Sequence, residues 1–125
     1  MVFDTLPQRL ADGLARTGRF PDTTFCCAYD RAAKPEPLRS LLVVFDVARV
    51  KIGAQSAVTA LTMTLHAPKD AGSTAIRSRL AALLPALLGL VTPDDGVTVG
   101  PIRYDRTQDT LHVTCAFTVT ETLGA

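Results

Sequence analysis

Residues 41–66 alternate in hydropathy, and the alternation changes phase halfway along. Leu41, Val43, Phe45 and Val47 are apolar at odd positions, then Ala48, Val50 and Ile52 at even ones. After Gly53-Ala54-Gln55 the pattern returns in mirror order, with Val58 and Ala60 even and Leu61, Met63 and Leu65 odd. A hairpin whose paired residue numbers sum to 108 matches both halves. Val43 then faces Leu65, Phe45 faces Met63, Val47 faces Leu61, Ala48 faces Ala60 and Val50 faces Val58. Cross-strand partners share a face, so this register predicts an apolar face that swaps sides along the hairpin. Val50, Ile52 and Val58 are expected on the face opposite Phe45, Met63 and Leu65, with Arg49 and Lys51 turned to the other side. Strong sheet twist or the Pro-rich segment at 32–37 could cover that second apolar patch; otherwise a neighbouring subunit must. Arg49, Val50, Lys51, Ile52 and Val58 are therefore the candidate subunit interface.

The remaining chain reads as elements that pack around this hairpin. Leu6, Leu10 and Leu14 recur at helical spacing, Asp4 can cap their first turn and Gly18 can end it, which predicts a helix over 4–17. Pro7 fits such a helix because the first turn has no N–H partner to lose. Residues 23–29 read as a short strand, and Pro35 and Pro37 make 32–37 an extended surface loop. Ser73 is a good N-cap for a second helix with Ile76, Leu80, Leu83, Leu84, Leu87 and Leu88 on a broad apolar stripe, which Pro85 should kink or end. The turn 93–96 leads into a strand broken at Gly100-Pro101, where a bulge is expected. A closing strand alternates Leu111, Val113, Cys115, Phe117 and Val119 with His112, Thr114, Thr118 and Thr120. Helix, strand, hairpin, helix, hairpin without a βαβ rhythm gives the class α+β: one mostly antiparallel sheet of four or five strands with two helices packed on one face. The 125 residues form a single domain in this reading, with Leu10, Leu14, Phe45, Met63, Leu65, Leu80, Leu84, Leu87, Val113, Cys115 and Phe117 as its core.

Composition narrows the function classes. Thirteen Lys and Arg against twelve Asp and Glu leave a net charge of +1, which argues against a strongly basic nucleic-acid binder. With no Trp and 6% aromatics, a base-stacking platform is not expected either. Three cysteines, two of them adjacent, make no disulfide framework, and reduced intracellular folding is the simplest reading. The longest apolar stretch, 80–91, contains Pro85 and Gly89 and falls short of the roughly 20 residues of a membrane span. With no signal-peptide pattern at the N-terminus, a soluble cytoplasmic product with no membrane contact is expected.

No constellation of residues predicts chemistry. His66 and His112 fall on the polar parity of their strands beside Thr64 and Thr114, and a zinc site needs three or four ligands. Cys26 and Cys27 point to opposite faces of one strand, and Cys115 between Val113 and Phe117 reads as a small buried hydrophobe. The serines have no elbow motif, Asp94-Asp95 is explained by turn chemistry, and the eight glycines form no phosphate cradle. The expectation is no catalytic residue, no metal and no cofactor, hence not an enzyme. Arg49 and Lys51 are either a charge-protected strand edge or a basic face for an acidic neighbour or a phosphate backbone, which Arg103 and Arg106 could join.

The order of these elements, the turn Leu65-His66-Ala67-Pro68-Lys69 and the strand end Gly100-Pro101-Ile102-Arg103-Tyr104-Asp105 give the chain a family likeness. It resembles the small tail-terminator or tail-completion proteins of long-tailed bacteriophages and prophages, over nearly its whole length. That resemblance implies a structural, ring-forming protein, typically of six subunits, that caps the tail tube and joins it to the head connector. The implied partners are copies of itself, the tail tube protein and a head-connector or neck protein, with DNA contact in the lumen left open. The implied location is the tail of the virion, assembled in the host cytoplasm. A ring built head-to-tail needs two different patches in contact, which agrees with a hairpin needing a second surface. The alternative is a small α+β ligand-binding or regulatory module, expected to be dimeric; a small enzyme is the third class.

Overall fold

The computed structural model describes residues 2–28 and 41–122, so the Pro-rich segment at 32–37 and Tyr29, the expected end of the first strand, lie outside the described residues. The elements are helix α1 (Val2–Arg16), strands β1 (Thr23–Cys27), β2 (Leu41–Ile52) and β3 (Ser56–Pro68), a 3₁₀ turn at Lys69–Ala71, helix α2 (Gly72–Leu88), and strands β4 (Thr98–Val99), β5 (Arg103–Asp105) and β6 (Thr110–Thr122). The class is α+β. The sheet has six strands in the order β1-β2-β3-β6-β4, with β5 also on β6. It is mixed, where a mostly antiparallel sheet of four or five strands was expected: β1 runs parallel to β2, with Phe25 beside Val43 and Cys27 beside Phe45.

Both helices pack on one face. Leu6, Leu10, Ala11 and Leu14 of α1 and Ile76, Leu80, Leu83 and Leu87 of α2 share a buried cluster with Phe45, Leu61, Met63, Leu65, Val113, Cys115 and Phe117. The expected core is buried throughout, except that Leu84 is half-buried at its rim. β3 alternates strictly, odd residues buried and even ones half-buried, because it lies between two long partners with helices above it. Burial of Cys115 pushes its thiol pKa up, as desolvation disfavours the thiolate.

The ends of elements follow local rules in most places. Gly18 ends the turn after α1 at φ 68°, a left-handed conformation that Gly adopts without a Cβ penalty. α1 begins at Val2, earlier than expected, so Pro7 sits inside the helix and not in its first turn. α2 runs through Pro85 to Leu88. The carbonyl of Ala81 that loses its partner is on the exposed side, where water can take its place. Ser73 is not the cap of α2, which starts one residue earlier with no side-chain cap.

The bulge expected at Gly100-Pro101 is present. β4 pairs Val99 with Cys115, the N–H of Gly100 donates to Thr114 O at 2.9 Å, and β5 resumes with Arg103 beside His112, one residue further than unbroken pairing would give. A Cβ on residue 100 would come within 3.0 Å of that carbonyl oxygen, so the close approach favours Gly.

Among the described residues, four buried side-chain atoms lack a hydrogen-bond partner: the hydroxyls of Thr59 and Thr110, Nε of Arg79 and Oε1 of Glu121. Thr59 is fully buried on the helix side and its hydroxyl has no hydrogen-bond partner. A hydroxyl stripped of water without replacement costs about 1–3 kcal/mol. Thr59→Val, which keeps the shape and removes the hydroxyl, should therefore raise stability by about 1–2 kcal/mol in equilibrium urea unfolding. A neutral or destabilising result would show that the hydroxyl is hydrogen bonded in solution.

Candidate functional site

The phase change in β2 is a bulge. The predicted register holds from Leu42 beside His66 to Val47 beside Leu61, then slips by one residue, so that Arg49 pairs with Ala60, Val50 with Thr59, Lys51 with Val58 and Ile52 with Ala57. Ala48 is the extra residue: two residues of the bulged strand stand opposite one of the partner, and parity changes in β2 alone. This corrects the expected face swap. Val50 and Ile52 stay on the helix side with Phe45, Met63 and Leu65, and Val58 goes to the opposite face with Arg49 and Lys51. The five predicted interface residues do come together at the hairpin tip, but on two faces of it.

The opposite face carries neither α1 nor α2, and Val44, which stands on it beside Thr64, is nevertheless buried. The central rows of this face are Thr62, Thr64 and His66 on β3 and Ala116, Thr114 and His112 on β6. Thr64 and Thr114 hydrogen bond across the strands at 3.1 Å, and the rings of His66 and His112 stand 5.9 Å apart. Threonine suits such a surface, its β-branch fitting the pleat and its hydroxyl reaching water or a cross-strand partner.

At the tip this open face is basic and concave. Arg49, Val50, Lys51, Val58, Ala60 and Thr118 line a depression of about 430 Å³. Ala60 leaves room at its floor, and the long side chains of Arg49 and Lys51 raise its rim at the β2 edge. Both cations are exposed, and neither forms an ion pair among the described residues. Asp46, the acid nearest in sequence on that strand, turns its carboxylate onto the N–H of Val47 at 2.8 Å. On the helix side of the same tip, Ile52 is 53% exposed.

Other predicted candidates lie elsewhere. Arg103 is on the open face, paired with His112, six residues along β6 from Thr118. That is about 20 Å at the rise of a strand, so it does not join Arg49 and Lys51. Arg106 is in the exposed turn between β5 and β6. Cys27 is on the helix side, Cys26 on the other, and Cys115 is in the core. Among the described residues no three His, Cys, Asp or Glu side chains gather as a metal site would require, and no helix is long and apolar enough to cross a membrane.

Asp94, read from the sequence as turn chemistry alone, also makes tertiary contacts beside the site. Its N–H donates to Thr118 O at 2.8 Å and its carboxylate accepts from the Thr120 hydroxyl at 2.6 Å, so the 93–96 turn is fastened to the outer edge of β6 on the open-face side. Twenty-six residues separate Asp94 from Thr120, and no local pattern signals such a contact. Comparison with protein-family models finds no match, and neither does comparison with curated proteins.

Proposed function

We propose that the protein is a structural assembly subunit that forms a ring, acting as a tail-terminator or tail-completion protein that caps a phage tail tube and joins it to the head connector. The observation that carries this reading is the hairpin tip. There an exposed Ile52, two cations without carboxylate partners among the described residues and a depression lined by Val58, Ala60 and Thr118 occupy one end of the sheet. Surfaces of this kind favour contact with another protein: apolar area at the centre, charge at the rim, and shape to be filled. Copies of itself, the tail tube protein and a neck protein are the partners of this reading, and no step of it calls for a cofactor or catalysis.

The alternative, a small ligand-binding or regulatory module, would use the same depression, whose volume is that of a small-molecule pocket. Two cations at the rim would select an anion. Mass in solution separates the two. Sedimentation velocity and native mass spectrometry of the purified chain should give one particle near six times the 13.3 kDa subunit, with a central hole in negative stain. A dimer or a monomer at every concentration would count against the ring.

A further inference from the structure

The two outer edges of the sheet differ, and they meet the tip at the same height. β1 lies against residues 41–45 of β2 and stops there, so residues 46–52 have no strand on their outer side among the described residues. On the far side, β4 and β5 line the first half of β6, and the 93–96 turn lies against it at Thr118. One cross-strand row runs Arg49, Ala60, Thr118 and ends at the backbone of Asp94. The next runs Lys51, Val58, Thr120 and ends at the Asp94 carboxylate. Both rows thus have a cation at one edge of the open face, and the Lys51 row has the Asp94 carboxylate at the other. Strand spacings of about 4.8 Å put these ends about 14 Å apart within one chain, beyond the Debye length of about 8 Å at physiological salt. Asp94 forms no ion pair among the described residues, and Asp95 beside it is exposed.

We propose that the β2 edge of one copy meets the β6 edge of the next, with the neighbour's 93–96 turn seated in the depression and Asp94 and Asp95 facing Arg49 and Lys51. The occupant is a second copy of this chain, because the acidic turn that complements the basic rim is supplied at the matching height by the chain itself. A two-fold pairing of β2 edges would instead set Arg49 and Lys51 of both copies against each other, and like charges at an edge oppose pairing. The contact joins unlike patches, so it repeats head-to-tail and closes into a ring when the rotation allows. This rests on the ring reading above and adds which two edges meet.

A charge exchange tests it. Arg49→Glu with Lys51→Glu makes both edges acidic, and Asp94→Lys with Asp95→Lys makes both basic. Each double variant alone should stay monomeric at concentrations at least about tenfold above the wild-type assembly midpoint, as like charges meet at every contact. Mixed in equal amounts, the two should form rings of wild-type size in which they alternate. Circular dichroism confirms that each variant is folded. If loss of the Thr120 hydrogen bond unfolds the Asp94 variant, Asp95→Lys alone takes its place in the mixture. Wild-type assembly should also weaken by about tenfold between about 0.1 and 1 M salt, as the screening length falls from about 10 to 3 Å. A wild-type ring that salt does not weaken, folded variants that assemble alone, or a mixture that stays monomeric would overturn the edge pairing and leave the ring reading standing. A wild-type chain that never assembles would overturn both.

Discussion

Deleting Ala48 should leave the protein folded, whereas deleting Thr62 should unfold it. Removing one residue from a strand ordinarily moves every residue beyond it to the other face. At Ala48 the extra residue is already outside the pairing, since Val47 stands beside Leu61 and Arg49 beside Ala60. Its loss removes the bulge and its added twist, keeps all pairs on both sides, and should cost no more than about 1–2 kcal/mol, within the usual range for single changes. β3 has no bulge of its own and is paired with β6 from Ser56 to Pro68 and with β2 from Ala57 to His66. Without Thr62, either Met63, Leu65 and Ala67 or Ala57, Thr59 and Leu61 leave the helix side, and Thr64 and His66 or Val58 and Ala60 enter it. Each large apolar side chain expelled forfeits about 1.5–3 kcal/mol, and buried polar groups add to the loss, against a total stability of about 5–15 kcal/mol. Circular dichroism and urea unfolding of the two deletions would decide. An unfolded Ala48 deletion alongside a folded Thr62 deletion would mean that the bulge is elsewhere.

Phe45→Ala is the point substitution with the largest expected cost. Phe45 is fully buried, and its cross-strand partner Met63 and the next one, Cys115, are fully buried as well. Helices cover this row, so little of the space left by the ring can be refilled by collapse. Truncation of Phe in such a site costs about 3–5 kcal/mol. Phe117→Ala should fall in the same range, nearer its lower end, because Phe117 retains a little exposure. Equilibrium urea unfolding with an unchanged m-value would establish the difference as one of stability. A loss below about 1 kcal/mol at Phe45 would be inconsistent with a core built on that row.

The apolar alternation at 41–47 and 61–65 was enough to fix which residues face each other, because cross-strand partners share a face and only one register aligns both halves. The same held for Cys115 between Val113 and Phe117, and for the bulge at Gly100-Pro101, where a residue without a Cβ and one without an N–H fall together. The five candidates Arg49, Val50, Lys51, Ile52 and Val58 fall together at the tip, but only Val58 lies on the face expected of it. A phase change in one strand can mean an apolar face that turns over or an inserted residue, and the apolar Val58 and Ala60 of the partner strand favoured the first. The structure has the second, with Ala57 and Thr59 on the covered side.

What the sequence determined by itself was therefore local: the hairpin and its register up to Val47, the two helical stripes, the polar parity of His66 and His112, and the α+β class. Each rests on spacing between near neighbours, where the periods of helix and strand leave one choice. The tertiary structure decided that β1 joins β2 in parallel, since alternation carries no strand direction. It decided that the bulge puts Val50 and Ile52 on the same side of the sheet as Phe45, although Ile52 stays exposed there, since an inserted residue and a turned-over face leave the same alternation in β2. It also decided that Asp94 lies in one row with Arg49, through contacts between residues far apart in the chain that no local period encodes.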